Sequence, residues 1–360
     1  MKAIRLCLAA AFIATGCRQQ TAHPAPQTSA SPEAPVHLVI PEQGAYTGAY
    51  LDFGDSEDDV TLEQIEAFEG AVGKHQAIIA SSSYWGEQTF PLRNLEIITR
   101  HNAIPLIYWS PWDKPYEQER GPDRFSLDSI LAGKWDPYID SWAAQAKAFG
   151  QPFFVAWGLE MNGTWFPWSG YFYGGGKEIS GNVYAGPELF KKVYRHVVDR
   201  VRAAGAKNII WLFHVNNYSY PLDEWNELKQ YYPGDDYVDW LAMSAYGKQF
   251  HRDPWISASD AMVYAYDDLC AISPAKPVML AEWGIGEFPE AGDKARWITE
   301  AFQNMRTRFP RLKAAVFWNE RWENEDGYYS NLRVTSSVQS LDAYRKGVDD
   351  PFWLDHPLYR

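Results

Sequence analysis

The sequence predicts an α/β fold, a single (β/α)8 TIM barrel. Eight apolar runs of strand length recur along it, with amphipathic segments of helical length between them. The runs are apolar throughout instead of alternating, as parallel strands covered on both faces should be. About 320 residues remain after a polar leader segment, a length at which such barrels form one domain.

The strand-like runs are 48–53, 77–85, 104–112, 153–160, 209–216, 240–246, 278–283 and 314–318. The helical segments between them are 61–72, 92–101, 136–149, 187–204, 259–271, 293–309 and 336–347. Gly150 and Gly205 each follow a helical segment, where a glycine can close the last turn in the left-handed conformation.

Residues 1–17 read as a processing signal. A basic start, Met1-Lys2-Ala3-Ile4-Arg5, precedes an apolar run too short to span a bilayer. Ala14-Thr15-Gly16-Cys17 resembles a bacterial lipobox, with Cys17 the lipidated residue; leucine is commoner at the Ala14 position. Arg18, in place of Asp, favours sorting to the outer membrane. An ordinary secretory signal is the alternative. Residues 18–38, rich in Pro, Ala, Ser, Thr and Gln, read as a disordered tether, and 39–360 as the barrel.

A net charge of −13 argues against nucleic acid or an anionic membrane surface as a partner. Of three cysteines, Cys7 lies in the signal, Cys17 is the lipid site and Cys270 stands alone, so no internal disulfide and no zinc spacing are expected. No cofactor or metal is implied, and a monomer is expected. Aromatic residues make up 16% of the chain, with 17 Trp, which suggests flat apolar ligands such as sugar rings.

In such barrels the chemistry sits at the C-terminal ends of the strands. Those ends carry Trp109 and Trp112, then Glu160 and Asn162, then His214 and Asn216, then Tyr246, Glu282, Trp318 and Glu320. Glu160 and Glu282 each end a continuous apolar run, with no basic residue nearby in sequence. Trp165, Phe166 and Trp168 follow Glu160 closely. Two carboxylates about 5–5.5 Å apart across a cleft are what retaining glycoside hydrolysis needs. Glu320 competes, but Arg321 beside it suggests a salt bridge. His214 reads as a possible base, or as a hydrogen-bonding residue of the rim. The acidic run Asp52 to Asp59 lacks EF-hand spacing and reads as a solvated loop.

Glu160-Met161-Asn162-Gly163, with Trp165, Phe166 and Trp168 behind it, resembles glycoside hydrolase family 26. "GAYTGAY" at 44–50, "VYRHVVDRVRAAGAKNIIW" at 193–211, "YYPGDDYVDWLAMSAYG" at 231–247, "KPVMLAEWG" at 276–284 and "AVFWNERW" at 315–322 fit in order and spacing. The resemblance implies a retaining endo-β-glycanase acting by double displacement on a β-linked polysaccharide, of β-mannan type in the family's commonest members. It implies Glu160 as acid/base, Glu282 as nucleophile, Tyr246 as the hydroxyl holding the nucleophile, and Trp165 and Trp318 around the sugar. The family usually carries His immediately before the acid/base, where this chain has Leu159, and an Arg a few residues earlier, where it has Phe154-Val155-Ala156. Pro167 stands where mannan-cleaving members often carry Trp. These departures argue against β-1,4-mannan and leave a mixed-linkage β-glucan, a β-1,3-xylan or an exopolysaccharide as alternatives. A carbohydrate-binding barrel without activity is the reading from another class.

Overall fold

In the computed structural model, which describes residues 36–116 and 121–360, eight parallel strands close into a barrel. They are β1 (Ala45–Tyr50), β2 (Ile78–Tyr84), β3 (Ile104–Ser110), β4 (Phe153–Trp157), β5 (Ile209–Asn216), β6 (Trp240–Tyr246), β7 (Val278–Gly284) and β8 (Leu312–Trp318). Each strand pairs with the next, and β8 returns to β1 with Tyr46 opposite Ala314 and Tyr50 opposite Trp318. The expected signal, Cys17 and residues 18–35 of the expected tether lie outside the described residues. Leu38 forms an antiparallel bridge with Tyr359, tying the start of the described chain to its end.

The helices around the barrel include α1 (Leu62–Val72), α2 (Leu92–Arg100), α3 (Asp136–Phe149), α4 (Ala185–Ala203), α5 (Leu228–Tyr231), α6 (Ala258–Ile272), α7 (Lys294–Thr307) and α8 (Val338–Val348), with a further short helix at Leu127–Leu131. Their ends follow capping chemistry. Thr61, Ser257, Asp293 and Ser337 each accept a backbone N–H of the first turn. Gly150 takes φ 73 and Gly205 φ 86 after their helices, the positions at which they were expected. The four residues of α5 had no counterpart in the pattern, because one turn is too short to show a helical period.

The abundance of tryptophan has mainly a packing cause. Trp85, Trp109, Trp142, Trp157, Trp168, Trp211, Trp283 and Trp297 are fully buried. Trp109 stacks on Trp142 of α3 with ring centroids 4.0 Å apart, and Trp283 packs edge-on against Phe302 of α7 at 5.2 Å. These rings fill the layer between barrel and helices, where one large flat side chain spans the gap.

Candidate active site

The strand carrying Glu160 is shorter than its apolar run. β4 stops at Trp157 and not at residue 160, because Gly158 turns into the left-handed region at φ 58. Glu160 then takes φ 52, which costs a residue with a Cβ about 1–2 kcal/mol. Local bonds hold it there. Its N–H donates to the His214 carbonyl at 2.8 Å, and its own carbonyl accepts from Gly163 N at 3.0 Å. Asn162, fully buried, ties the turn to the end of β5: its Oδ1 accepts Asn216 N at 2.9 Å, and its Nδ2 donates to Asn216 O at 3.0 Å. Thrown inward by this turn, the Glu160 carboxylate accepts from Trp165 Nε1 at 2.7 Å and is 8% exposed.

A β-bulge places Glu282. Met243 pairs with Leu280 but Ser244 with Glu282, leaving Ala281 without a counterpart on β6. The extra residue re-aims the strand end. The Ala281 carbonyl accepts the Tyr108 hydroxyl at 2.8 Å across the barrel interior. Glu282 Oε2 accepts from Tyr246 Oη at 2.8 Å.

Burial raises both carboxyls above the ordinary carboxylate range, and the Glu160 charge raises Glu282 further. The Ser244 hydroxyl favours the ionised form of each. Two buried acids whose charges raise one another do not ionise independently. Beneath them His214 is buried, with Nε2 2.9 Å from Ser244 Oγ; burial depresses its pKa to about 3. It is therefore a neutral support of the site and not a cationic group or a cleft base.

The two acids lie in a cleft of about 1700 Å³. That exceeds the roughly 300–1,000 Å³ of a small-molecule pocket and leaves room for several sugar rings. Of the predicted site residues, Trp112, Trp165, Asn216, Tyr246 and Trp318 line it with Glu160 and Glu282. Trp318 is stacked on Tyr50 at 3.8 Å, which fixes the plane of its ring.

Three predicted residues serve from behind. Trp109 points outward to α3, because it alternates with the inward-facing Tyr108. Trp168 is buried against Phe166 and donates to the Leu159 carbonyl at 2.6 Å. Asn162 holds backbone and does not face the cleft.

The cleft also has acids that pattern reasoning misassigned. Glu57, expected in a solvated loop, is 8% exposed, and its carboxylate accepts from Ser82 Oγ at 2.6 Å, Tyr116 Oη at 2.7 Å and Tyr84 Oη at 3.2 Å. It follows β1, so its place just past a strand end was the available signal. Glu320 does not pair with Arg321, whose guanidinium lies over the Tyr329 ring at 3.6 Å. It accepts from Trp318 Nε1 at 2.8 Å, and burial with the nearby Glu57 charge pushes its pKa up to about 8.

A model of glycosyl hydrolase family 26 matches residues 135–326, the stretch from α3 past β8 that carries both central acids. The chain belongs to this family. It is 29% identical over 309 residues to endoglucanase H of Acetivibrio thermocellus, an alignment covering 85% of this chain and 30% of that protein. It is 23% identical over 253 residues to β-1,3-xylanase TXYA of a Vibrio species, covering 64% and 50%. The chain thus spans only a third to a half of the length of these curated relatives. Among solved structures, Bacillus subtilis mannanase man26 shares the fold with a TM-score of 0.61 at 18% identity, covering 87% of each chain.

Proposed function

We propose that this protein is a retaining endo-β-glycanase cutting a neutral β-linked polysaccharide by double displacement. The observation that carries the reading is the pair of buried acids, Glu160 and Glu282, that line one open cleft. Membership of the family and likeness to named endoglycanases support it. Trp165 occupies Oε2 of Glu160, which leaves Oε1 to carry the proton. In the first step that proton passes to the glycosidic oxygen while Glu282 attacks the anomeric carbon, and the leaving chain departs. In the second, ionised Glu160 takes a proton from water, whose oxygen displaces Glu282 and restores the β configuration. Proton NMR on a panel of β-glucans, β-xylans and β-mannans is expected to show a β product first. Glu282→Ala is expected to lose several orders of magnitude in turnover, and azide to restore part of it as an α-glycosyl azide. Release of an α-configured sugar first, or a variant near full activity, would overturn the reading.

Plain β-1,4-mannan is a poor substrate on this reading. The Leu159 side chain lines the cleft beside Glu160 and neither donates nor accepts a hydrogen bond. A β-glucan, mixed-linkage or not, is the favoured class, in keeping with the likeness to an endoglucanase over 85% of the chain. We also infer that Cys17 carries lipid and anchors the enzyme to the outer membrane. Cys17→Ser is expected to move the protein from the membrane to the soluble fraction. A wild-type protein already soluble would count against the anchor.

A further inference from the structure

A cluster on the opposite face of the barrel has no part in this chemistry. Glu69 lies on α1, His75 in the connection from α1 to β2, and His101 just past α2, so all three sit below the starts of the strands. The sequence shows no metal spacing, since these residues come from separate connections and only barrel closure gathers them. His75 Nδ1 is 2.9 Å from Glu69 Oε1, and His101 Nε2 is 2.9 Å from Glu69 Oε2. The three side chains are 13–18% exposed, neither sealed from an ion nor freely solvated.

We propose that Glu69, His75 and His101 bind a divalent transition metal of the zinc type, with a fourth position open to water. The donor set, two imidazoles and one carboxylate, suits such ions and is a poor match for the all-oxygen shells of Mg²⁺ or Ca²⁺. The groups behind it suit the role too. His75 Nε2 is 3.4 Å from the Asn102 carbonyl, the kind of partner that orients a ligating imidazole and directs its other nitrogen at a metal. Glu69 Oε1 also accepts the Gln76 N–H at 2.9 Å. Gln76 is fully buried and accepts from Thr47 Oγ1 at 3.0 Å, so the connection bearing His75 is pinned. The donor atoms lie within 4.8 Å of one another. Zinc bonds of about 2.0–2.2 Å require separations of roughly 3.3–3.5 Å, so the widest separation closes by about 1.3–1.5 Å and the 2.9 Å contacts open by about half an ångström, which side-chain rotation supplies. The ion would join the α1–β2 and α2–β3 connections.

The full chain, stripped with a chelator and titrated with ZnCl₂ in a calorimeter, tests the site. One equivalent is expected to bind and to raise the thermal midpoint, and MgCl₂ to do neither. His75→Ala, His101→Gln and Glu69→Gln are each expected to weaken zinc binding by about 100-fold or more, since even a lost supporting contact costs 10–100-fold. His101→Gln can still donate to Glu69, so it preserves the fold while removing a ligand. Absence of stoichiometric binding, or binding of equal strength in the His101→Gln and Glu69→Gln proteins, would overturn the proposal.

Discussion

The hydrogen bond from Trp165 to Glu160 is the contact whose removal tests the site most sharply. Trp165→Phe keeps an aromatic ring but deletes the Nε1–H that donates to Glu160 Oε2 at 2.7 Å. That donor stabilises the ionised carboxyl and holds its pKa below the value burial alone would give. A hydrogen bond to a charged group contributes about 1.5–3 kcal/mol. At 1.36 kcal/mol per pH unit, its loss moves the Glu160 proton by about 1–2 units. The direction is upward, because the ionised form is the one that loses a partner. Glu160 must be protonated to assist departure of the leaving chain. The alkaline limb of kcat/KM is therefore expected to move up by about 1–2 units. The acid limb reports ionisation of Glu282 and is expected to stay or move slightly down, since a Glu160 that keeps its proton repels Glu282 less.

The assay is the pH dependence of kcat/KM for both proteins, on the best polysaccharide and on an aryl glycoside. The polysaccharide rate at the optimum is expected to fall, because Glu160 is both a weaker acid and less well held. The aryl glycoside, whose leaving group needs little protonation, is expected to lose less. Gly163→Ala provides a second route to the same perturbation, since a Cβ there would fall 2.4 Å from the Trp165 ring and displace it. An alkaline limb unmoved by Trp165→Phe would refute Glu160 as the acid.

Leu159→His is expected to raise kcat/KM on β-1,4-mannan relative to β-glucan by about tenfold, within the 1–3 kcal/mol range of a restored partner for a desolvated hydroxyl. A wild-type enzyme already rapid on mannan would show that Leu159 does not limit that substrate. Asn162→Ala is expected to destabilise the fold by about 2–4 kcal/mol, because it strands the buried N–H and C=O of Asn216. The check is a lowered urea midpoint at unchanged slope, and a midpoint within error of wild type would show that the turn closes without it.

The barrel was legible because period and punctuation agree along the chain. Seven helical segments matched within a few residues, as at 136–149, where the expected bounds are those of α3. The acids at the ends of β4 and β7 were legible because a charge after an apolar run is anomalous in any strand. What the pattern could not yield was direction. Trp109 and Trp112 stand three residues apart, yet one packs against α3 and the other lines the cleft. That depends on where the strand ends, which residue composition does not mark. The bulge at Ala281 was equally invisible, because an extra residue shows only against the partner strand. Glu57 was misread because its neighbours are acidic, while the three hydroxyls that bury it come from β2 and the connection after β3.

Three acids near the cleft break local backbone rules. Asp52, Glu57 and Glu160 all take positive φ, near 51–53°, at the strand-end rim. Residues with a Cβ hold that conformation only where surrounding contacts impose it. For Glu57 the contacts are hydroxyls, and for Glu160 the backbone of β5. The same contacts explain how Glu57, Glu160, Glu282 and Glu320, four of the acids that line the cleft, share it. Among the described residues none of the four forms an ion pair; they rest on Ser, Tyr and Trp donors. Neutral donors satisfy a carboxylate without cancelling its field, so each acid raises the pKa of its neighbours, as Glu57 does for Glu282 and Glu320. A cleft built this way keeps a proton available for an acid near neutral pH. Retention of that proton follows from one choice, that of uncharged donors around buried acids.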